Sequence, residues 1–204
     1  MFRSSPILVM LGVLSWCVSA AAQTPASVVE PPKRAEHRSV AAARVERGAI
    51  VVDGALSEAA WSRAEAADSF VQYGPRPGAP ASERTEARVL FDEGFLYVGM
   101  WMYDSRPDSV TGSLGRRDGT LAYSDWAEVS IDGYHDRRTA LRFVVNPRGV
   151  QRDATLFDDI REDGGWDAVW EARTRVDSAG WTAEFRIPLS QLRFNPSRDS
   201  AATW

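Results

Sequence analysis

Residues 125–147 read DWAEVSIDGYHDRRTALRFVVNP, and this stretch decides the fold. Apolar residues alternate with polar ones on both sides of a polar centre, and the side chains of a strand alternate between its two faces. The pattern predicts a β-hairpin that turns near His135, because that register brings the apolar residues of both strands to one face. This apolar face carries Ala127, Val129, Ile131, Leu141, Phe143 and Val145. The opposite face, called the mixed face below, carries Trp126, Glu128, Arg142 and Asn146.

The remainder of the chain also consists of short segments that are typical of strands. Further strands are predicted over Thr85–Phe91, Phe95–Tyr103, Val150–Phe157, Trp170–Val176 and Trp181–Ile187. Phe95–Tyr103 is apolar on both faces, which is typical of a central strand that is covered on both sides. Glu58–Ala64 is predicted as a short helix, and residues 189–192 as a single helical turn. Short strands joined by turns, with one or two short helices, predict an all-β fold, an antiparallel β-sandwich.

The aromatic residues on apolar faces predict much of the core. Four tryptophans lie on such faces and are expected to be buried: Trp61, Trp101, Trp170 and Trp181.

The chain divides into three predicted regions. Residues 1–22 have the pattern of a secretory signal peptide, with Arg3 ahead of an apolar run and the small residues 20–22 as the cleavage site. Residues 23–44 are predicted as a flexible linker, with an edge strand over 39–45 as the alternative. Residues 45–204 form the predicted sandwich, which we expect to be cut short because a new strand begins near Trp204. The signal peptide predicts that the chain is exported.

Composition excludes several classes of function. The 24 basic and 28 acidic residues are interleaved, which argues against a nucleic-acid partner. The only cysteine, Cys17, lies in the predicted signal peptide, so the mature chain has no thiol chemistry. His37 and His135 are the two histidines, and they do not supply a zinc site or a catalytic triad. No carboxylate pair has the setting of a glycosidase, so no catalytic residue and no enzyme activity are predicted.

Five motifs occur in order along residues 45–204. They are Val52-Asp53-Gly54 with Glu58 and Trp61; LFDEGFLY at 90–97; Asp125-x-x-Glu128-x-x-x-Asp132; Phe143-x-x-Asn146; and Gly180-Trp181-Thr182-x-Glu184-x-x-Ile187-Pro188. Together they make the region similar to the carbohydrate-binding module family 9 domain. The resemblance implies a β-sandwich that binds a sugar or a glycan chain end and has no catalytic activity of its own.

Four other segments are similar to one branch of that family. They are ERTE at 83–86, RRD at 116–118, residues 146–153, and WDAVW at 166–170. In uncharacterised bacterial proteins of this branch, the module precedes a large outer-membrane β-barrel domain. The resemblance implies that such a barrel follows residue 204 and, together with the predicted signal peptide, that the protein resides in the periplasm or outer membrane of a bacterium.

The resemblance also implies where a sugar would bind. Sugar-binding members hold a terminal glucose-type unit between two tryptophans, with polar side chains on its hydroxyls. Carried to this sequence, the acidic ligand is Glu128 and the amide ligand is Asn146. The first tryptophan position falls near Ala122 and the arginine position at Val144, and the second tryptophan position lies beyond Trp204. The sequence therefore keeps two of the expected contacts and departs from the family at the others.

The candidate carbohydrate-binding residues are Trp126, Glu128, Asn146, Tyr123 and Trp166. Trp126 or Tyr123 can replace the missing platform, because the C–H face of a sugar ring packs on an aromatic plane. Trp166 follows two glycines and is the more open of the other tryptophans. The competing interpretation is structural, with Trp126 under the loop 105–124 and Glu128 paired across the strands with Arg142.

An acidic run offers a candidate metal site. Its carboxylates are Asp158, Asp159, Glu162, Asp163 and Asp167. The family resemblance implies a structural Ca²⁺, and oxygen ligands suit that ion. A solvated acidic loop is the alternative, because the run lacks a recognised calcium-loop spacing.

Two functions are carried forward. The first is a secreted, non-catalytic carbohydrate-binding module that serves polysaccharide breakdown or uptake. The second is an N-terminal structural or interaction module of an outer-membrane β-barrel protein, with no sugar ligand.

Overall fold

Two β-sheets make up the part of the chain that the structure, a computed structural model, describes: residues 39–119, 123–158 and 161–193. The strands are β1 (Ala43–Arg44), β2 (Ala66–Ala67), β3 (Thr85–Phe91), β4 (Phe95–Tyr103), β5 (Ala127–Ile131), β6 (Thr139–Val145), β7 (Gln151–Phe157), β8 (Arg161–Asp163), β9 (Glu171–Asp177) and β10 (Gly180–Pro188). One short helix, α1, spans Ala59–Arg63, and Pro107–Ser109 and Leu189–Gln191 form single 3-10 turns. The prediction of an all-β fold with short helices is confirmed.

The larger sheet has the order β1-β3-β4-β10-β9, and β2 pairs with the same strand β3. The smaller sheet has the order β5-β6-β7-β8. Neighbouring strands are antiparallel except for β1, which pairs with β3 in the parallel sense. The predicted hairpin 125–147 therefore forms half of the smaller sheet, and the smaller sheet carries the mixed face on its outward side.

The main core lies between the two sheets. Alternate residues of β10 point into it, and Ala183, Phe185 and Ile187 are fully buried there. Trp170 stacks on Phe185 with a centroid distance of 5.8 Å, and its ring meets Phe143 of the smaller sheet edge-on at 5.3 Å. Burying a large apolar side chain stabilises a fold by roughly 1.5–3 kcal/mol, so this layer holds the sandwich together.

We call the side of the larger sheet that faces away from the smaller sheet its outer face. A second apolar cluster covers one half of this outer face. Trp61 of α1 and Leu56 pack there over Leu90 and Tyr97. Gly99 lies beneath them, and a Cβ at that position would stand 2.8 Å from Leu56 Cδ2 and 2.9 Å from Trp61 Cζ3. Only glycine lets α1 approach the sheet this closely. The predicted two-sided burial of β4 is thus found for its first half.

The start of the domain lies within the predicted linker. Ala43 and Arg44 form β1, with Ala43 opposite Leu90 and Arg44 opposite Phe91. The edge strand considered over 39–45 therefore exists and is two residues long. The predicted signal peptide and the residues up to 38 lie outside the described residues, as do Ala122, Asp159 and Trp204. Among the described residues, no helix has the length and apolar character needed to cross a membrane.

Candidate binding surface

The hairpin turns one residue later than the alternation predicts. Glu128 lies opposite Val144 and Ser130 opposite Arg142, which centres the turn on Asp136 rather than on His135. The carboxylate of Asp136 accepts hydrogen bonds from the backbone N–H groups of Arg138 and Thr139, which hold the pKa of Asp136 below its usual range. Moving the turn by one residue shifts the cross-strand partner of each residue by two positions. The apolar and mixed faces therefore keep their predicted sides.

Ion pairs form a chain across the mixed face. Arg142 donates to Glu128 Oε2 at 2.5 Å and to Glu162 Oε2 at 2.6 Å, and Arg152 donates to the other oxygen of Glu162 at 3.2 Å. The guanidinium of Arg152 also lies 6.0 Å from the ring centroid of half-buried Trp126. Glu128 and Arg142 thus pair diagonally rather than directly across the strands. We call this series of ion pairs, formed by Glu128, Arg142, Glu162 and Arg152, the ladder. It agrees with the structural interpretation, in which Glu128 pairs with Arg142, and it leaves the Glu128 carboxylate partly exposed.

Asn146 is buried below this surface and anchors the loop 105–124, called the long loop below. Its side-chain NH₂ donates to Ser113 O at 2.7 Å and to Ser124 Oγ at 3.1 Å. Its Oδ1 accepts from the N–H groups of Arg148 and Val150. These four hydrogen bonds use the full capacity of the amide, so no donor or acceptor is left for a sugar hydroxyl in this conformation. A direct contact between Asn146 and a ligand stays a prediction that this geometry does not favour.

The three candidate aromatic residues occupy different places. Tyr123 is 89% exposed at the end of the long loop, and its carbonyl accepts from Ser113 Oγ. Trp126 lies on the mixed face beside Glu128. Trp166 instead packs edge-on against Phe143, with a centroid distance of 5.8 Å, and belongs to the border of the main core. The structure therefore keeps Trp126 and Glu128 together on one surface and places Trp166 elsewhere.

Trp166 lines a groove of about 290 Å³ at the turn end of the smaller sheet. Ile131, Leu141 and Phe157 supply its apolar wall, and Gln191 is among its polar residues. The groove is a separate candidate binding site that includes Trp166. Sequence reasoning does not predict it, because Gln191 is 25 residues from Trp166 along the chain.

The acidic run does not converge on a metal site in the described residues. Glu162 is held by Arg142 and Arg152, Asp158 lies 3.4 Å from Arg138, and Asp163 accepts from the N–H of Gly165. No group of three or more acidic or histidine side chains in residues 39–119, 123–158 and 161–193 could hold a metal ion. These side chains do not fit the implied Ca²⁺, whose binding here stays a prediction.

Sequence reasoning missed a second anchor of the long loop, at Arg117 and Asp118. Arg117 donates to buried Asp153 at 2.5 Å and to Ala168 O at 2.7 Å, while Asp118 Oδ1 accepts from the N–H of Asp153. Adjacency in the sequence indicates only a local pair of Arg117 with Asp118, whose charged groups are 3.5 Å apart. Gln151 and Thr155 share the strand face of Asp153, so the sequence contains no sign that Asp153 lies opposite Phe143 and is buried.

Two solved structures share this fold. Both are of a carbohydrate binding module family 9 domain from Caldicellulosiruptor kristjanssonii. The complex with cellotriose is 20% identical, with a TM-score of 0.51, over 76% of this chain and 71% of that chain. The complex with glucose is 22% identical, with a TM-score of 0.51, over 74% and 71% of the two chains. No protein family model matches the chain, and no curated protein matches it. The fold is therefore a family 9-like β-sandwich, and fold alone does not establish a ligand.

Proposed function

We propose that this chain is a non-catalytic carbohydrate-binding module that holds a sugar or a glycan chain end on the mixed face. The observation that carries the proposal is the half-buried ring of Trp126 beside the ladder of Glu128, Arg142, Glu162 and Arg152. A sugar needs an aromatic plane for its C–H face and fixed polar groups for its hydroxyls, and this surface has both. The family 9 domains of the same fold, solved with cellotriose and glucose, support it.

The ladder would supply directional hydrogen bonds at small cost. Each guanidinium is already held by a carboxylate, so little side-chain entropy is lost when a hydroxyl binds. Arg152 lies over the ring of Trp126, and a sugar would share the ring with this guanidinium or displace it. Tyr123 would border the sugar from the loop, and Asn146 would act through the position of that loop rather than by direct contact.

Replacing the aromatic platform tests the proposal. We expect Trp126→Ala to weaken the binding of glucose and cellotriose at least about tenfold, a loss of about 1.4 kcal/mol. Isothermal titration calorimetry of the protein measures this. Tyr73→Ala is the matched control, because Tyr73 is 99% exposed and lies on another loop. Absence of heat with either sugar at about 10 mM, or equal affinity of the two variants, would refute the proposal.

The second candidate function is a structural or interaction module without a sugar ligand. It is favoured by the saturated amide of Asn146 and by Val144, which is buried where the sugar-binding members have an arginine. On this alternative, we propose that the domain precedes an outer-membrane β-barrel and resides in the periplasm or outer membrane. Fractionation of cells that express the complete gene tests the location, and a cytoplasmic product would contradict it.

A further inference from the structure

A cleft of about 340 Å³ opens on the outer face of the larger sheet, beside α1. The helix covers the first half of β4 and leaves the second half, from Met100 to Tyr103, partly exposed. The mixed face belongs to the smaller sheet, so the cleft and the mixed face lie on different sheets. The side chains that matter in the cleft are Glu58, Trp61, Ser62, Glu86, Arg88 and Trp101.

Two aromatic rings border the cleft on one strand. Trp101 and Tyr103 are two residues apart on β4, so their side chains project from the same face. Sequence alternation predicts that Trp101 is core, but its side chain is only half-buried. Trp61 meets it edge-on with a centroid distance of 6.3 Å, and the guanidinium of Arg88 lies 5.8 Å from its ring centroid. Trp101 is therefore fixed in orientation and open to the cleft.

Rigid polar groups stand next to these rings. Glu86 is buried and accepts from Arg84 at 2.7 Å and from Arg88 at 2.5 Å. Arg88 also donates to Trp61 O at 2.7 Å, which ties the base of the cleft to α1. Arg84 and Arg88 both pair with Glu86, so the charge of this carboxylate is compensated where it meets the rings. An uncharged ligand with several hydroxyls suits such a site better than an ion.

Two buried polar atoms at the cleft have no protein partner. Trp61 Nε1 and Glu58 Oε2 make no hydrogen bond with any described residue, although Glu58 Oε1 accepts from Val51 N at 3.0 Å. Trp61 itself is only 1% exposed. Buried polar atoms are normally paired, and a ligand hydroxyl could satisfy either of these two, because a hydroxyl both accepts and donates.

We propose that this cleft is a second ligand site, which takes a neutral pyranose with its ring against Trp101. Trp61 Nε1 and Glu58 Oε2 would hold its hydroxyls, and the Glu86–Arg88 pair would set the orientation of the ring. The site does not depend on Trp126 or on any other residue of the mixed face. It therefore stands or falls separately from the proposed function.

Indole N–H signals in ¹⁵N-labelled protein provide the test, because each tryptophan gives its own resonance. On titration with glucose and with cellotriose, we expect the Trp101 and Trp61 signals to move and saturate at millimolar sugar, on the order of 1 mM. Trp61→Phe, Trp101→Phe and Trp126→Phe assign the three signals. Trp101 and Trp61 signals that stay unchanged up to about 10 mM of both sugars would overturn the proposal, whatever Trp126 does.

A blocking variant protects the test from misfolding. Ser62 is exposed on α1 at the rim of the cleft, and Ser62→Met fills the space while favouring the helix. We expect it to abolish the shifts of Trp61 and Trp101 and to leave any shift of Trp126 in place. Glucuronate is the charged comparison, and tighter binding of glucuronate than of glucose at this cleft would overturn the assignment to a neutral sugar. Unaltered titration of Trp101 in Ser62→Met would also contradict the proposal.

Discussion

Glu184 carries its carboxyl group in the middle of the larger sheet without contact with solvent. Its Oε2 accepts from the N–H groups of Asp53 at 3.0 Å and Gly54 at 2.9 Å, while Oε1 has no partner among the described residues. Burial raises the pKa of Glu184 to about 7, helped by the nearby charges of Glu58 and Asp53 and opposed by the two hydrogen bonds. Burial therefore favours the neutral acid, although the two N–H groups of the Asp53-Gly54 turn bind the ionised carboxylate more strongly.

The raised pKa of Glu184 predicts a pH-dependent stability. The folded state holds this proton up to about pH 7, whereas the ordinary pKa of a glutamic acid side chain is 4.5. The contribution is complete below pH 4.5 and is lost as the pH rises to about 7, by at most about 3 kcal/mol. Glu184→Gln keeps an acceptor without a charge. We expect its free energy of unfolding, relative to the wild type, to increase over this interval in urea titrations.

Glu93→Gln is the control for this titration, because Glu93 is an exposed acid on the β3–β4 turn. Its difference from the wild type should change little between pH 4.5 and 7. A difference between Glu184→Gln and the wild type that is also independent of pH would disprove the assignment.

Turns and loops, at the scale of elements, are held by the residues that the family motifs contain. Asp92 accepts from Gly94 N, Phe95 N and Tyr97 Oη and so closes the β3–β4 hairpin. Burial and the hydrogen bond to the Asp92 carboxylate raise the pKa of Tyr97 to about 12. Asp132 likewise accepts from the N–H groups of the β5–β6 turn. Asp92 and Asp132 therefore stabilise the sandwich rather than bind a ligand. A chain can keep such motif residues, and with them the fold, while its ligand changes.

The long loop should depend on its ion pair with β7. Arg117→Ala leaves the buried carboxylate of Asp153 with one charge partner fewer, and removing one member of a buried pair is costly. Arg117 is 36% exposed, so we expect a loss of about 2 kcal/mol rather than the larger value for a fully buried pair. Urea unfolding measures the change. Arg116→Ala, at the exposed neighbouring position, is the control, and equal stability of both variants would exclude this anchor.

The molecule as a whole has two apolar clusters that share the larger sheet. β4 contributes Leu96 and Val98 to the cluster between the sheets and Tyr97 to the cluster under α1. Because β4 carries side chains of both clusters, unfolding of this strand removes residues from both. The sandwich and its outer layer are therefore expected to unfold together.

Core truncations on the two sides test this coupling. We expect Trp61→Ala and Phe185→Ala each to lower the free energy of unfolding by about 3–5 kcal/mol. In both variants, far-ultraviolet circular dichroism and tryptophan fluorescence should follow a single coincident transition. Surface variant Tyr73→Ala should unfold like the wild type. A separate early step in Trp61→Ala would show that α1 and its cluster form an independent unit.

Much of the architecture is predictable from the sequence because strand alternation is a local property. The apolar set of the hairpin, with Phe143 and Val145, points to the core as predicted, and Trp61, Trp170 and Trp181 are buried. Trp101 is the exception. Its strand is apolar on both faces, but α1 is five residues long and covers only the half of β4 that carries Gly99. Alternation identifies a face, but it does not indicate how far a covering element extends.

The sequence by itself determined where the seven longer strands of the described residues lie, which face of each is apolar and which motifs resemble family 9, since these depend on neighbours along the chain. It did not predict the short strands β2 and β8, and the acidic run that contains β8 indicates a loop. Only the tertiary structure decided which polar groups meet. The turn at Asp136 sets the register that joins Glu128, Arg142 and Glu162, and the return of the loop saturates Asn146. Hydrogen bonds and ion pairs act over a few ångströms. Moving a turn by one residue therefore changes which polar side chains along the strands come within reach of one another, while the apolar residues stay on the same face.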